Sequence, residues 1–176
     1  MLDTFLVLAN QYDSEGDALA DYEAIRNLYG ELGLLDTYDA AVITRKETGK
    51  VRIVKRVEEP TRHGSVIGLK TGLATGAVIA LFPAAGIGLL AGALGGATLG
   101  AGFGAVAGHV AGGLKRGALK ELGETLDKGS SGLIVVAATD LEEEVASAIK
   151  RAKKRAKAQL QTDVEEIKKE IDSLAA

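Results

Sequence analysis

GSVIGLKTGLATGAVIALFPAAGIGLLAGALGGATLGAGFGAVAGHVAGGLKRG, residues 64–117, carries a small residue at every fourth position. The ladder runs Gly64, Gly68, Gly72, Gly76, Ala80, Ala84, Gly88, Gly92, Gly96, Gly100, Gly104, Gly108 and Gly112. Residues four apart share one face of an α-helix, so a ladder of this kind makes a groove without side chains, against which a second helix can approach closely. Gly costs about 1 kcal/mol relative to Ala in an exposed helix, so the ladder requires a packing partner. Between Lys70 and His109 lie 38 residues with no Asp, Glu, Lys or Arg. That length is about twice a single membrane span, and Pro83, Gly86 and Gly88 interrupt it near its middle. The geometry expected is a glycine-zipper hairpin of two antiparallel helices, over 63–82 and 87–115, within an insertion spanning 62–113.

The sequence on either side of the ladder has a different character. The chain has 176 residues and is 47% apolar, but the apolar residues concentrate in the ladder while the flanks are rich in charge. Residues 4–12 (TFLVLANQY) read as a buried strand. Ser14 and Asp17 resemble a capping box, and Ala18, Tyr22, Ile25, Tyr29 and Leu32 recur on one face of the helix that follows, with Gly33 as its stop. YDAAVIT and KVRIVKRV then read as two strands joined through Glu47, Thr48 and Gly49. Beyond the ladder, Ala118, Leu119, Leu122 and Leu126 line a helix ended by Gly129, and GLIVVAA is another strand.

With the insertion removed, the order is β-α-β-β-α-β, so the expected fold is α+β: a ferredoxin-like split βαβ sandwich in two parts, 1–61 and 114–138. One sheet face would carry both helices, leaving the other for a second subunit. Residues 139–176 contain no Gly or Pro, and Thr139 with Glu142 suggests a cap. A stripe of Leu141, Val145, Ile149, Ala152, Ala156, Leu160, Val164, Ile167, Ile171 and Leu174 predicts one long amphipathic C-terminal helix, of about 50 Å at 1.5 Å per residue.

The segments DAAVITRKETGKVRI and LKELGETLDKGSSGLIVV, placed around a glycine-rich apolar run, resemble a widespread prokaryotic family of uncharacterised, predicted membrane proteins. The resemblance covers about 4–138. It implies no catalytic residue, and the long helix from Asp140 onward departs from the pattern.

Enzyme chemistry finds little support in the residues. GSVIGLKT lacks the G-x-x-x-x-G-K-[ST] register of a phosphate loop, because Leu69 separates Gly68 from Lys70. There is no cysteine, so disulfides and thiolate chemistry are excluded, and no catalytic, cofactor or metal site is expected. His63 and His109 would stand opposite each other at the hairpin base, as an ionisable pair or simply as polar helix ends. Lys70 lies inside the first arm, able to snorkel toward a headgroup. Lys150, Arg151, Lys153, Lys154, Arg155 and Lys157 form a basic block, expected to pair with acids of a neighbouring helix rather than with phosphates, so nucleic acid is not a favoured partner. Arg62, Lys115, Arg116 and Lys120 cluster at the ends of the apolar run, as cytosolic flanks of a membrane segment do.

The function expected from these features is non-enzymatic self-association: a membrane-inserted scaffold with its termini in the cytoplasm, whose partners are further copies and lipid. The alternatives are a soluble homo-oligomeric shell or filament with an apolar interior, and an oligomeric channel. The N-terminus has no basic n-region and too short an apolar run for a signal peptide.

Overall fold

Runs of apolar residues buried on both faces form the middle of the sheet. The computed structural model describes residues 2–34, 38–56, 72–82, 87–89 and 97–175. Strand β1 spans Asp3–Tyr12, β2 Tyr38–Arg45, β3 Val51–Arg56, β5 Ser130–Ala138 and β6 Lys154–Thr162, and these form a five-stranded antiparallel sheet in the order β3-β2-β5-β1-β6. A three-residue strand, β4 (Ile87–Leu89), runs parallel beside β3. Strand β5 lies between β1 and β2, with Val7 opposite Val136 on one side and Ala41 opposite Ile134 on the other. Its residues are buried almost throughout because both of its faces are covered.

The local signals at the helix and turn positions are realised. Helix α1 (Glu15–Glu31) starts at Ser14, whose Oγ accepts from the Asp17 amide at 3.1 Å, and ends before Gly33 at φ 69°. The β2–β3 turn uses Gly49 at φ 88°, a conformation that a residue with a Cβ adopts at a cost. Leu32, placed on the buried face by its spacing, instead caps α1 and is 47% exposed.

The sheet carries helices on both faces. On one side Leu6, Leu8, Val42, Leu133 and Val135 pack with Tyr22, Ile25 and Tyr29 of α1 and with Val145 and Ile149 around α5 (Glu142–Ala148). On the other, Val7, Ala9, Ile43, Ile134 and Val136 meet four helices. These are α2 (Leu73–Leu81), α3 (Ala97–Gly113), α4 (Arg116–Glu124) and α6 (Val164–Ala175). The expected bare face, and with it the reason for a dimer formed through the sheets, is therefore absent.

The C-terminal expectation is corrected for a related reason. Residues 139–176 are not one long helix but a 3-10 turn, α5, β6 and α6. Without β6, strand β1 would present a row of unpaired N–H and C=O groups along the edge of the sheet. Strand β6 pairs along it from Asp3↔Thr162 to Gln11↔Lys154. Its buried residues Ala156, Ala158, Leu160 and Thr162 alternate with exposed ones. Positions 156 and 160 fit a helical stripe and a strand equally well, so burial against β1 overrides the good helix propensity of Lys, Arg, Ala and Gln. Thr139 and Glu142 form no capping box; the 3-10 turn starts without a side-chain cap.

The apolar insertion is described only in part. Residues 63–71, 83–86 and 90–96 of the expected hairpin lie outside the described residues, and Ile87–Leu89, expected as helix, is strand β4. Helix α2 ends at Phe82 (φ −130°, ψ 60°), as the residue before a proline is steered out of the α region. At 1.5 Å per residue, α2 and α3 are about 13 and 25 Å long. No helix among the described residues is long and apolar enough to cross a membrane.

Candidate functional site

Helices α2 and α3 pack side by side on the sheet, and the ladder divides between them into glycines in use and glycines left open. The buried side chains of α2 include Leu73, Ala74, Ala77 and Val78. Its N-cap, Gly72, offers no side-chain acceptor. The buried carboxylate of Asp39 on β2 serves instead, its Oδ2 accepting from the Ala74 amide at 2.8 Å, where the helix dipole favours negative charge. One turn on, a Cβ at Gly76 would overlap Val106 Cγ1 and stand 3.1 Å from Val106 Cβ and 3.3 Å from the Ala107 backbone nitrogen. Gly76 is thus where α3 comes close to α2. At the far end of α3, a Cβ at Gly113 would overlap the Gln161 carbonyl oxygen and lie 2.7 Å from Leu160 Cδ1, so this glycine lets the helix rest on β6.

Gly108 and Gly112 differ. Among the described residues a Cβ at either would meet nothing within 4 Å, and with Ala111 they form an exposed face of small residues on α3. Gly88 lies in β4, and Gly100 and Gly104 lie within α3. Gly64, Gly68, Gly92 and Gly96 fall outside the described residues.

Beside the exposed face, His109 Nε2 lies 2.5 Å from Glu170 Oε2 of α6. The expected partner His63 is outside the described residues, as are Lys70 and Arg62. No group of three or more metal-ligating side chains occurs among the described residues.

The basic block meets its acids inside the chain. Arg151 Nη1 is 3.2 Å from Asp21 Oδ1, Lys153 Nζ 3.7 Å from Asp13, Lys154 Nζ 2.7 Å from Asp127, and Lys157 Nζ 2.7 Å from Glu142. Arg155 donates to the carbonyls of Ala146 and Ile149, and Lys150 is exposed. The hydrogen bond from Lys154, above all, holds Asp127 below the usual carboxylate range. Residues 154–157 belong to strand β6, not to the helix on which this block was expected to lie.

Two groups that the residue pattern did not single out anchor these contacts. Asp21 is fully buried on the apolar face of α1 and receives Tyr12 Oη at 2.9 Å and the Arg151 amide at 2.9 Å. Burial first, and then Asp21, raises Tyr12 well above the ordinary tyrosine value. The sign of such a role was present in the sequence as an acid between Ala18 and Tyr22, in the middle of an apolar stripe. The second group is Arg45 at the end of β2. It donates to the Leu126 carbonyl at 2.6 Å and stacks its guanidinium 4.9 Å from the centre of the Phe82 ring.

Arg45 borders a groove of about 450 Å³ between the end of α2 and α4, walled by Leu81, Phe82 and Leu119 and flanked by Arg116 and Lys120. Helix α4 begins at Lys115 without a side-chain cap and has no acid in its first turn. Cations at the positive end of a helix dipole oppose it by about 0.3–1 kcal/mol each, so Lys115 and Arg116 stand against the usual preference.

No curated protein and no solved structure matches the chain. A family model does match, over residues 63–172, which takes in the apolar insertion and runs through β5 and β6 into α6. The segment beyond Asp140 is therefore part of the family pattern, contrary to the expectation that it departs from it. Covering more than half of the sequence, the match shows that the chain belongs to the family described as protein of unknown function DUF1269.

Proposed function

We propose that the chain is a non-enzymatic, self-associating protein in which an α+β base presents the outer face of α3 to further copies. On this reading residues 62–113 are a glycine-zipper insertion in the base; the ferredoxin-like arrangement expected for the base is not kept, because α1 and α4 lie on opposite faces of an antiparallel sheet. The observation that carries the proposal is the division of the glycines. Gly76 on the ladder and Gly113 beside it are accounted for by contacts within the chain, whereas a Cβ at Gly108 or Gly112, both on the ladder, would meet nothing within 4 Å among the described residues. Each open helical glycine costs about 1 kcal/mol relative to alanine, and close approach by a second helix would supply the compensation that the described residues do not. Light scattering coupled to size exclusion tests this. The full chain should elute as an oligomer and Gly112→Leu should shift it toward the monomer, whereas a wild-type monomer at all concentrations defeats the proposal.

A second reading places lipid around the associated insertions, making the protein a membrane scaffold. It is favoured by the absence of charge from Thr71 to Gly108 and by the exposed cations Lys115, Arg116 and Lys120 where the run returns to the base. Carbonate extraction of native membranes separates the two: retention in the pellet supports the lipid reading, and release as a large soluble particle supports association alone.

A further inference from the structure

We propose that the groove between α2 and α4 binds a small anionic amphiphile, with a phosphate or carboxylate head on the cations and an apolar body along the walls. The inference does not depend on self-association. Three cations from two separate elements converge there: Arg45 from the end of β2, and Arg116 and Lys120 one turn apart on α4. The acid at the rim, Glu124, stands 3.8 Å from Lys120 and leaves the groove with an excess of positive charge. Arg45 cannot swing away to follow solvent, because its Nη1 is tied to the Leu126 carbonyl and its plane lies over Phe82. The uncapped start of α4 adds to the same sign of potential.

The walls decide what kind of anion fits. Leu81 and Leu119 are only partly buried, and they continue from the core to the edge of the groove. A volume of about 450 Å³ lies within the range of small-molecule pockets and exceeds what a bare inorganic anion fills. An anionic head on a hydrocarbon body satisfies both halves. Such a molecule could be a free monomeric amphiphile or an anionic lipid at a bilayer surface, which share this chemistry.

Calorimetric titration of the full chain with dodecyl phosphate, kept below its micellar concentration, tests the proposal, with butyl phosphate and inorganic phosphate as shorter comparisons. Affinity should rise with chain length. Arg116→Gln combined with Lys120→Gln, both exposed and outside the core, should weaken dodecyl phosphate by about ten- to a hundredfold, as loss of hydrogen bonds to charged groups does, with an unchanged elution volume and circular dichroism spectrum. Flotation with phosphatidylcholine vesicles, with and without phosphatidylglycerol, identifies the source. Monomer binding that the double variant weakens supports a free amphiphile, and phosphatidylglycerol-dependent flotation that it abolishes supports a bilayer lipid. No binding in either format, binding insensitive to the double variant, or equal affinity for inorganic and dodecyl phosphate overturns the proposal.

Discussion

Replacing Gly76 with alanine should destabilise the protein, although alanine is the better helix former. In an unconstrained helix the change is worth about 1 kcal/mol in favour of Ala. At this position the new methyl would overlap Val106 Cγ1 and press to 3.3 Å on the Ala107 backbone nitrogen. Val106 is 2% exposed and β-branched, so its rotamer is restricted by its own helix. Overpacking of this kind costs about 1–3 kcal/mol, which leaves a net loss of about 1 kcal/mol. The cause can be isolated with a second substitution. Val106→Ala alone should cost about 2 kcal/mol through lost burial and the cavity left behind. In the double variant the overlapping methyl is gone, so Gly76→Ala should become neutral or favourable, giving a coupling of about 1–2 kcal/mol. Urea unfolding followed by far-ultraviolet circular dichroism, with the denaturant slope checked for constancy, measures all four corners. A Gly76→Ala variant as stable as wild type, or a strictly additive double variant, would refute the argument that glycine is required here by close helix approach.

Asp21→Ala should cost about 2–3 kcal/mol, because it leaves the buried Tyr12 hydroxyl and the Arg151 amide without their acceptor; thermal or urea unfolding reads this directly, and a loss below 1 kcal/mol or so would contradict it. Tyr29 is pushed up to about 12, first by burial and then by Asp140 and Glu144. Its neutral form is thus favoured in the folded state, so its contribution is complete below pH ~10 and should be lost as pH rises from about 10 through 12. Phenolate absorbance should show this tyrosine ionising late, and Tyr29→Phe should flatten that part of the stability profile. Reversing Lys157 to Glu breaks a half-exposed pair with Glu142, so it should cost about 1 kcal/mol or less and leave the elution volume unchanged; a change in elution volume would show that the block pairs between chains.

The elements legible in the sequence were those with a single dominant signal. Strands β1 and β5, the Ser14 cap, the Gly33 stop and the Gly49 turn each follow from a local pattern that tertiary structure does not contest. Strand β6 was not legible, because spacing by four satisfies period two as well, and its partner β1 lies some 150 positions earlier in the chain. With α2, α3, α4 and α6 on the face opposite α1, the conclusion drawn from an uncovered sheet face also falls. At the site, the ladder announced close helix approach, but its spacing could not tell Gly76, pressed on Val106, from Gly108, facing open space. Arg45 was visible only as a scattered cation and Arg116 only as part of the basic flank of the apolar run; the fold brings them to one groove from positions about 70 residues apart.

The proposed association face can be tested by proximity, since the chain has no cysteine and any introduced one is unique. Gly108→Cys, Ala111→Cys and Gly112→Cys place thiols along the exposed face of α3, and Gly117→Cys places one at an equally open position on α4. A disulfide needs Cβ atoms about 3.5–4.5 Å apart, a separation that copies reach only where backbones nearly touch. Under mild oxidation at low protein concentration, the account predicts rapid formation of covalent dimers at one or more of the α3 positions and little at Gly117→Cys. Equal, slow crosslinking at all four positions, at a rate set by chance collision, would contradict it.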